Sequence, residues 1–135
     1  MKKILLILFL FSFTGFKLYA QDDDGNEKIR DKMNEFIQQR LNLSKAEAEK
    51  FSPVFLRYFR EWRTTLRTTK DEPVLLREQK IVDLRLRYRD QFKGIIGDKK
   101  SNEVFDHQRT FIQQMKNLRQ ERLERNDGIR PRKNR

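Results

Sequence analysis

Arg57, Arg60, Arg63 and Arg67 recur every three or four residues. On an α-helix, at about 100° per residue, they share an arc of roughly 120°. A guanidinium stays charged and presents a planar fork of donors that matches a carboxylate or a phosphate. Such a row grips anions and breaks no covalent bond. Groups that could do bond chemistry are scarce. His107 is the only histidine and there is no cysteine. A histidine or thiolate metal site needs several such ligands, so His107 beside Glu103 and Asp106 reads as a surface histidine among carboxylates. No nucleophile–histidine–acid grouping and no glycine-rich phosphate loop occurs. Asp22, Asp23 and Asp24 are adjacent, not spaced like the ligands of a calcium loop. The expectation is a binding protein, not an enzyme, with no metal and no cofactor.

The chain carries 31 basic and 20 acidic residues in 135, a formal charge of +11. Alone, that balance points to nucleic acid. The first twenty residues redirect it. Met1-Lys2-Lys3 is a basic start, Ile4 to Phe13 is apolar apart from Ser12, and Leu18-Tyr19-Ala20 precedes the polar run from Gln21. That is the layout of a secretory signal peptide cleaved after Ala20. The apolar run is too short for a spanning helix, which needs roughly 20 residues. Export to the periplasm is expected, with no nucleic-acid partner. The remaining chain keeps 28 basic and 20 acidic residues, a net of +8. Its basic charge then needs acidic envelope proteins or anionic lipid as partners. Lipid would meet the arginine row and the tail Arg130–Arg135. Without cysteine, a small exported domain has to be held by packing alone.

The elements that position the arginines read as helix almost throughout, with apolar residues at spacings of three and four and no period-two alternation. A flexible acidic lead, residues 21–26, precedes the helical domain, residues 27–125. A first helix runs from about Asn26 to Leu41 with Ile29, Met33, Phe36 and Ile37 on one face. A second opens at Ser44. There Ser44-Lys45-Ala46-Glu47 fits a capping box, in which serine accepts from the third helical amide and Glu47 returns the bond, with Leu43 as the staple. Phe51, Phe55, Phe59 and Trp62, with Tyr58 and Leu66, form an aromatic stripe expected in the core or a dimer seam. Pro53 either kinks this helix or lies in the first turn of a new one capped by Ser52.

A third helix starts at Asp71-Glu72-Pro73 and ends at Gly94 and Gly97. Val74, Ile81, Leu84, Tyr88 and Ile95 form its stripe, widened by Leu75, Val82, Leu86 and Phe92. A fourth starts between Asp98 and Ser101. It carries Val104, Phe105, Phe111, Ile112, Met115 and Leu118 on to Leu123, and Gly128 and Pro131 stop it. A basic, disordered tail, residues 126–135, follows. Short connections favour antiparallel neighbours. The fold class is all-α: four helices in a bent antiparallel hairpin or bundle, with surplus apolar surface that an open four-helix sheet or a dimer would use and that a monomeric bundle could also bury.

Leu43-Ser44-Lys45-Ala46-Glu47 resembles the Leu-Thr-x-x-Gln motif of the Spy/CpxP family of periplasmic stress proteins, with serine for threonine and glutamate for glutamine. Ala48 to Phe55 is similar to the family's variants in Bacteroidota-type bacteria, labelled sensors of extracytoplasmic-function sigma factors. Ile95-Ile96-Gly97-Asp98 resembles the loop before the last helix of those variants. The resemblance spans roughly residues 27–125, and a second Leu-Thr-x-x-Gln copy before the last helix is not present. It implies a bent all-helical homodimer whose concave, basic and apolar face holds unfolded envelope proteins without ATP. Some members instead report stress to a membrane-bound anti-sigma factor or sensor kinase. The zinc-binding branch uses histidines that this chain lacks.

Overall fold

The computed structural model describes the backbone of residues 23–129 and the side-chain environments of residues 25–128. Four helices account for nearly all of it, with no strand among the described residues: α1 Asp23–Arg40, α2 Lys45–Thr68, α3 Val74–Ile96 and α4 Asp98–Ile129. The all-α, four-helix class is therefore observed. Residues 1–20, where a signal peptide was expected, and the tail from Arg130 lie outside the described residues.

Several boundaries differ from expectation. α1 begins at Asp23, so residues 23–26 are helical where a flexible lead was expected. Gly94 and Gly128 sit inside helices. A glycine costs a helix about 1 kcal/mol relative to alanine but leaves the hydrogen-bond ladder intact. Residues 126–129 accordingly belong to α4 and not to the tail. Gly97 is the true stop of α3. Its φ of 84° is open to glycine, and its N–H closes onto the Lys93 carbonyl at 3.0 Å. Asn42, at φ 49°, makes the corresponding turn between α1 and α2. Pro73 precedes α3 as its cap residue, which leaves Asp71 and Glu72 outside the first turn.

The core grows from the spacing already described. α2 buries Phe51, Phe55, Tyr58 and Phe59, α3 buries Leu84, Tyr88, Phe92 and Ile96, α1 supplies Met33, Ile37 and Leu41, and α4 supplies Val104 and Phe111. α1 packs on α2, α2 on α3, α3 on α4 and α4 on α1, closing a ring. Phe36 and Phe111, ring centroids 5.5 Å apart, join its two ends. Phe51 and Phe92 lie 4.9 Å apart across α2 and α3.

Tyr58 is the hub. Its ring lies 5.4 Å from Tyr88, 5.5 Å from Phe105 and 5.9 Å from Phe55. Its hydroxyl donates to Gln108 Oε1 at 2.6 Å and accepts from Arg85 Nε at 3.4 Å. Gln108 is fully buried and its amide nitrogen has no protein partner.

Pro53 lies within one continuous α2, so Ser52 caps no new helix. Glu49 and Pro53 are both exposed, which leaves the carbonyl that loses its donor on the solvent side. Ser52 instead faces α1, accepting from Asn34 Nδ2 at 3.1 Å and Gln38 Nε2 at 2.7 Å.

Three stripes were read too wide. Ile29 and Val74 are exposed, and Leu75, Val82 and Leu86 face solvent, Leu75 at 78%. On α3 these last three lie roughly 120–160° of helix rotation from the Leu84–Tyr88–Phe92 centre, beyond what α2 and α4 can cover. On α4, Met115, Leu118 and Leu123 are exposed as well.

Truncating Phe55 to alanine is expected to destabilise the fold by about 3–5 kcal/mol, since the ring is fully buried. Leu75→Ala, on the solvent face, is expected to leave the urea midpoint unchanged.

Burial raises the Tyr58 pKa above 10, with the Arg85 and Gln108 contacts opposing the shift. A raised folded-state value means that the unfolded chain loses the proton first. The associated stability is complete below about pH 10 and falls as pH rises further. Tyr58→Phe is expected to remove its share of that alkaline loss. At neutral pH the same change is expected to cost about 1–3 kcal/mol, because Gln108 loses its partner. Adding Gln108→Leu should recover much of it, as chemical denaturation of the pair would show.

Candidate functional site

The site is built on the face of α2 opposite its core stripe. Phe51, Phe55 and Phe59 are buried and Trp62 is half-buried against Phe59, with ring centroids 5.7 Å apart. These four residues therefore pack within one chain. That inward anchoring turns Arg57, Arg60, Arg63 and Arg67 outward, and all four are exposed.

The four are not equivalent. Arg57 Nη2 donates to Gln91 Oε1 on α3 at 3.5 Å, a contact at the limit of a hydrogen bond. Arg63 Nη2 donates to Asn26 Oδ1 on α1 at 3.0 Å. Both bonds leave the positive charge uncompensated, because the acceptors are neutral amides. Among the described residues, Arg60 and Arg67 have no hydrogen bond or ion pair. The row thus leans toward α3 at one end and toward α1 in its middle, with two uncommitted guanidinium groups between and beyond.

One acid could have neutralised it. Between Lys50 and Lys70 the only acidic residue is Glu61. Its carboxylate is turned onto α3, where Tyr88 donates to Oε1 at 2.5 Å and Arg87 pairs with Oε2 at 3.3 Å. Burial first, and the Glu61 carboxylate second, raise the Tyr88 pKa, so the phenol remains a donor at neutral pH. The spacing of Glu61 relative to the arginines was legible in the sequence, but its engagement by Tyr88 and Arg87 was not.

The capping motif is half formed. Ser44 Oγ accepts from the Glu47 amide at 3.1 Å, and Leu43 packs on the core. The Glu47 carboxylate does not return the bond to Ser44. It pairs with Lys100 at 3.6 Å, because the start of α4 brings an ammonium beside it. The residue expected to complete a local cap instead ties α2 to α4.

An open depression of about 420 Å³ lies at the α2–α3 end, with Thr65, Thr69, Asp83 and Arg87 in its lining. Glu72 and Lys80 also line it and pair with each other at 2.7 Å. It holds charges of both signs and none of the arginine row. Among the described residues no three His, Cys, Asp or Glu side chains cluster as metal ligands. Likewise, no described helix is long and apolar enough to cross a membrane.

Comparison with family models, curated proteins and solved structures returns no match. Function has to be argued from the site itself.

Arg60→Glu with Arg67→Glu is expected to leave thermal stability close to wild type, since neither side chain has a partner to lose. Phe59→Ala, next to Arg60 in the chain but on the inward face, is expected to lower it clearly. Parallel melting curves would separate the two faces.

Proposed function

We propose that the chain is an exported stress-binding protein that holds unfolded, acidic envelope proteins without ATP. One observation carries this reading. α2 presents four exposed guanidinium groups on one face, and the only acid in that stretch is withdrawn onto α3. A single-sign ridge of this kind raises the encounter rate with anionic chains. Arginine adds grip beyond its charge, by bidentate pairing with carboxylates and by stacking on exposed aromatic side chains of a client.

The apolar surface complements the ridge. Leu75, Val82 and Leu86 on α3 are open to solvent. An unfolded client offers both acidic and apolar segments, and this chain exposes surface for each. The basic secretory layout of residues 1–20 and the motif Leu43–Glu47 support the same compartment and role through the Spy/CpxP-like resemblance.

Holding without ATP needs reversible, modest affinity. Exposed charges are screened over about 8 Å at physiological salt and about 3 Å at 1 M. The chain is expected to suppress aggregation of a chemically unfolded acidic client at equimolar ratio, followed by light scattering. Suppression should weaken several-fold at 1 M salt and with Arg60→Glu, Arg63→Glu and Arg67→Glu combined. Unchanged suppression by that triple variant would remove the ridge from the mechanism. If no client were protected and a membrane regulator were captured from envelope extract instead, a signalling role would replace the holding role.

A further inference from the structure

α4 outruns the bundle. Its last buried residue is Phe111, and every residue from Gln113 to Gly128 is exposed. At 1.5 Å per residue this overhang is about 24 Å long. None of its residues is buried, yet its composition is far from uniform around the axis.

Projected at about 100° per residue, Met115 and Leu118 fall on the same side as Val104, Gln108 and Phe111, and Leu123 lies roughly 90° round from that stripe. The core-facing stripe therefore continues past the point where the core ends. Met115 is 37% exposed, Leu118 47% and Leu123 51%. Lys116, Arg119, Arg122 and Arg125 lie within the same half of the helix, an arc of about 180°. Glu121, Glu124 and Asp127 occupy the other half, with Gln113, Gln114, Asn117 and Gln120. The cations make no ion pair among the described residues, and the bonds Gln113–Asn117 and Gln120–Glu124 stay on the acidic half.

We propose that this face of α4, centred on Leu118, Arg119 and Arg122, docks on an anionic phospholipid bilayer surface. A helix lying in the lipid interface sinks its apolar side chains to the acyl boundary while lysine and arginine reach the headgroups. Here Lys116 and Arg125 flank the apolar residues, Arg119 and Arg122 lie between them, and the acids point away from the surface that would repel them. Complementary charge selects this occupant over a second copy of the chain. Two such faces brought together about a two-fold axis would set Arg119 and Arg122 against their own equivalents. The proposal uses none of the α2 arginines, so its failure and that of the α2 site can be told apart.

The test is co-sedimentation of residues 21–135 with vesicles of phosphatidylglycerol or of phosphatidylcholine. This segment contains every described helix and omits the apolar residues 4–13, which would enter lipid by themselves. Binding to phosphatidylglycerol only is expected. Leu118→Asp alone, and Arg119→Glu with Arg122→Glu, should each lower partitioning at least tenfold with an unchanged circular dichroism spectrum. Glu121→Gln with Glu124→Gln, on the opposite half, should preserve it, and Arg60→Glu with Arg67→Glu should do the same.

Absence of sedimentation, or equal binding to phosphatidylcholine, would overturn the proposal. So would binding abolished by removing residues 130–135 but indifferent to Leu118→Asp, which would assign it to the tail. A dimer in light scattering that Leu118→Asp dissociates would make a second copy the occupant. Capture of soluble polyglutamate without vesicle binding would make it an acidic polypeptide.

Discussion

The Tyr58 hydroxyl is buried together with its ring, so it has to be hydrogen-bonded inside the protein. Gln108 on α4 accepts its proton and Arg85 on α3 donates to it, while the ring touches Tyr88 and Phe105. One side chain of α2 thereby fixes the rotation of both α3 and α4. In a chain without cysteine there is no covalent staple to do so. The outward direction of the arginine row follows from this. Arg57 precedes Tyr58 and Arg60 follows it by two residues, so the seating of Tyr58 decides where both point.

The charge pattern depends on the same seating. Tyr88 packs on Tyr58 and, from the far end of its own ring, holds Glu61. The aromatic pair is buried and the phenol–carboxylate bond sits at its edge. Packing and electrostatics are thus one arrangement: the edge-to-face ring contact that stabilises the α2–α3 pairing also removes the acid that would have neutralised the α2 surface. Lys100 treats Glu47 similarly at the other end of α2.

Helix number, helix type and the α2 core stripe were legible because amphipathic periodicity is a local property of the chain. The exposure of Arg57 to Arg67 followed from the burial of Phe51, Phe55 and Phe59 on the opposite side. What was not legible depends on how far each neighbour extends. Met115 and Leu118 keep the spacing of core residues but lie past Phe111, the last buried residue of α4. Leu75, Val82 and Leu86 have the same composition as a core stripe but stand on a face that no neighbour covers. Ser52 looked like a cap because serine before proline is a good helix start. Its hydroxyl is taken by Asn34 and Gln38, partners that only the folded α1 provides. Glycine was overvalued as a stop at 94 and 128, where its cost is small, whereas Gly97 ends a helix through a backbone angle that other residues adopt with strain.

The Phe36–Phe111 contact joins the first helix to the last. A chain made from its N-terminus has α1 available well before α4. α2 can cover one side of α1 through the Ser52 bonds as soon as the two are out, and α3 can then fold back on α2. The side of α1 that carries Phe36 has to wait for the final helix. Closing so long a loop is entropically costly, so the ring shuts last, at its own two ends. Until then the incomplete chain shows the apolar surface around Phe36. Prompt arrival of the last helix therefore bears on whether the molecule escapes aggregation while it folds.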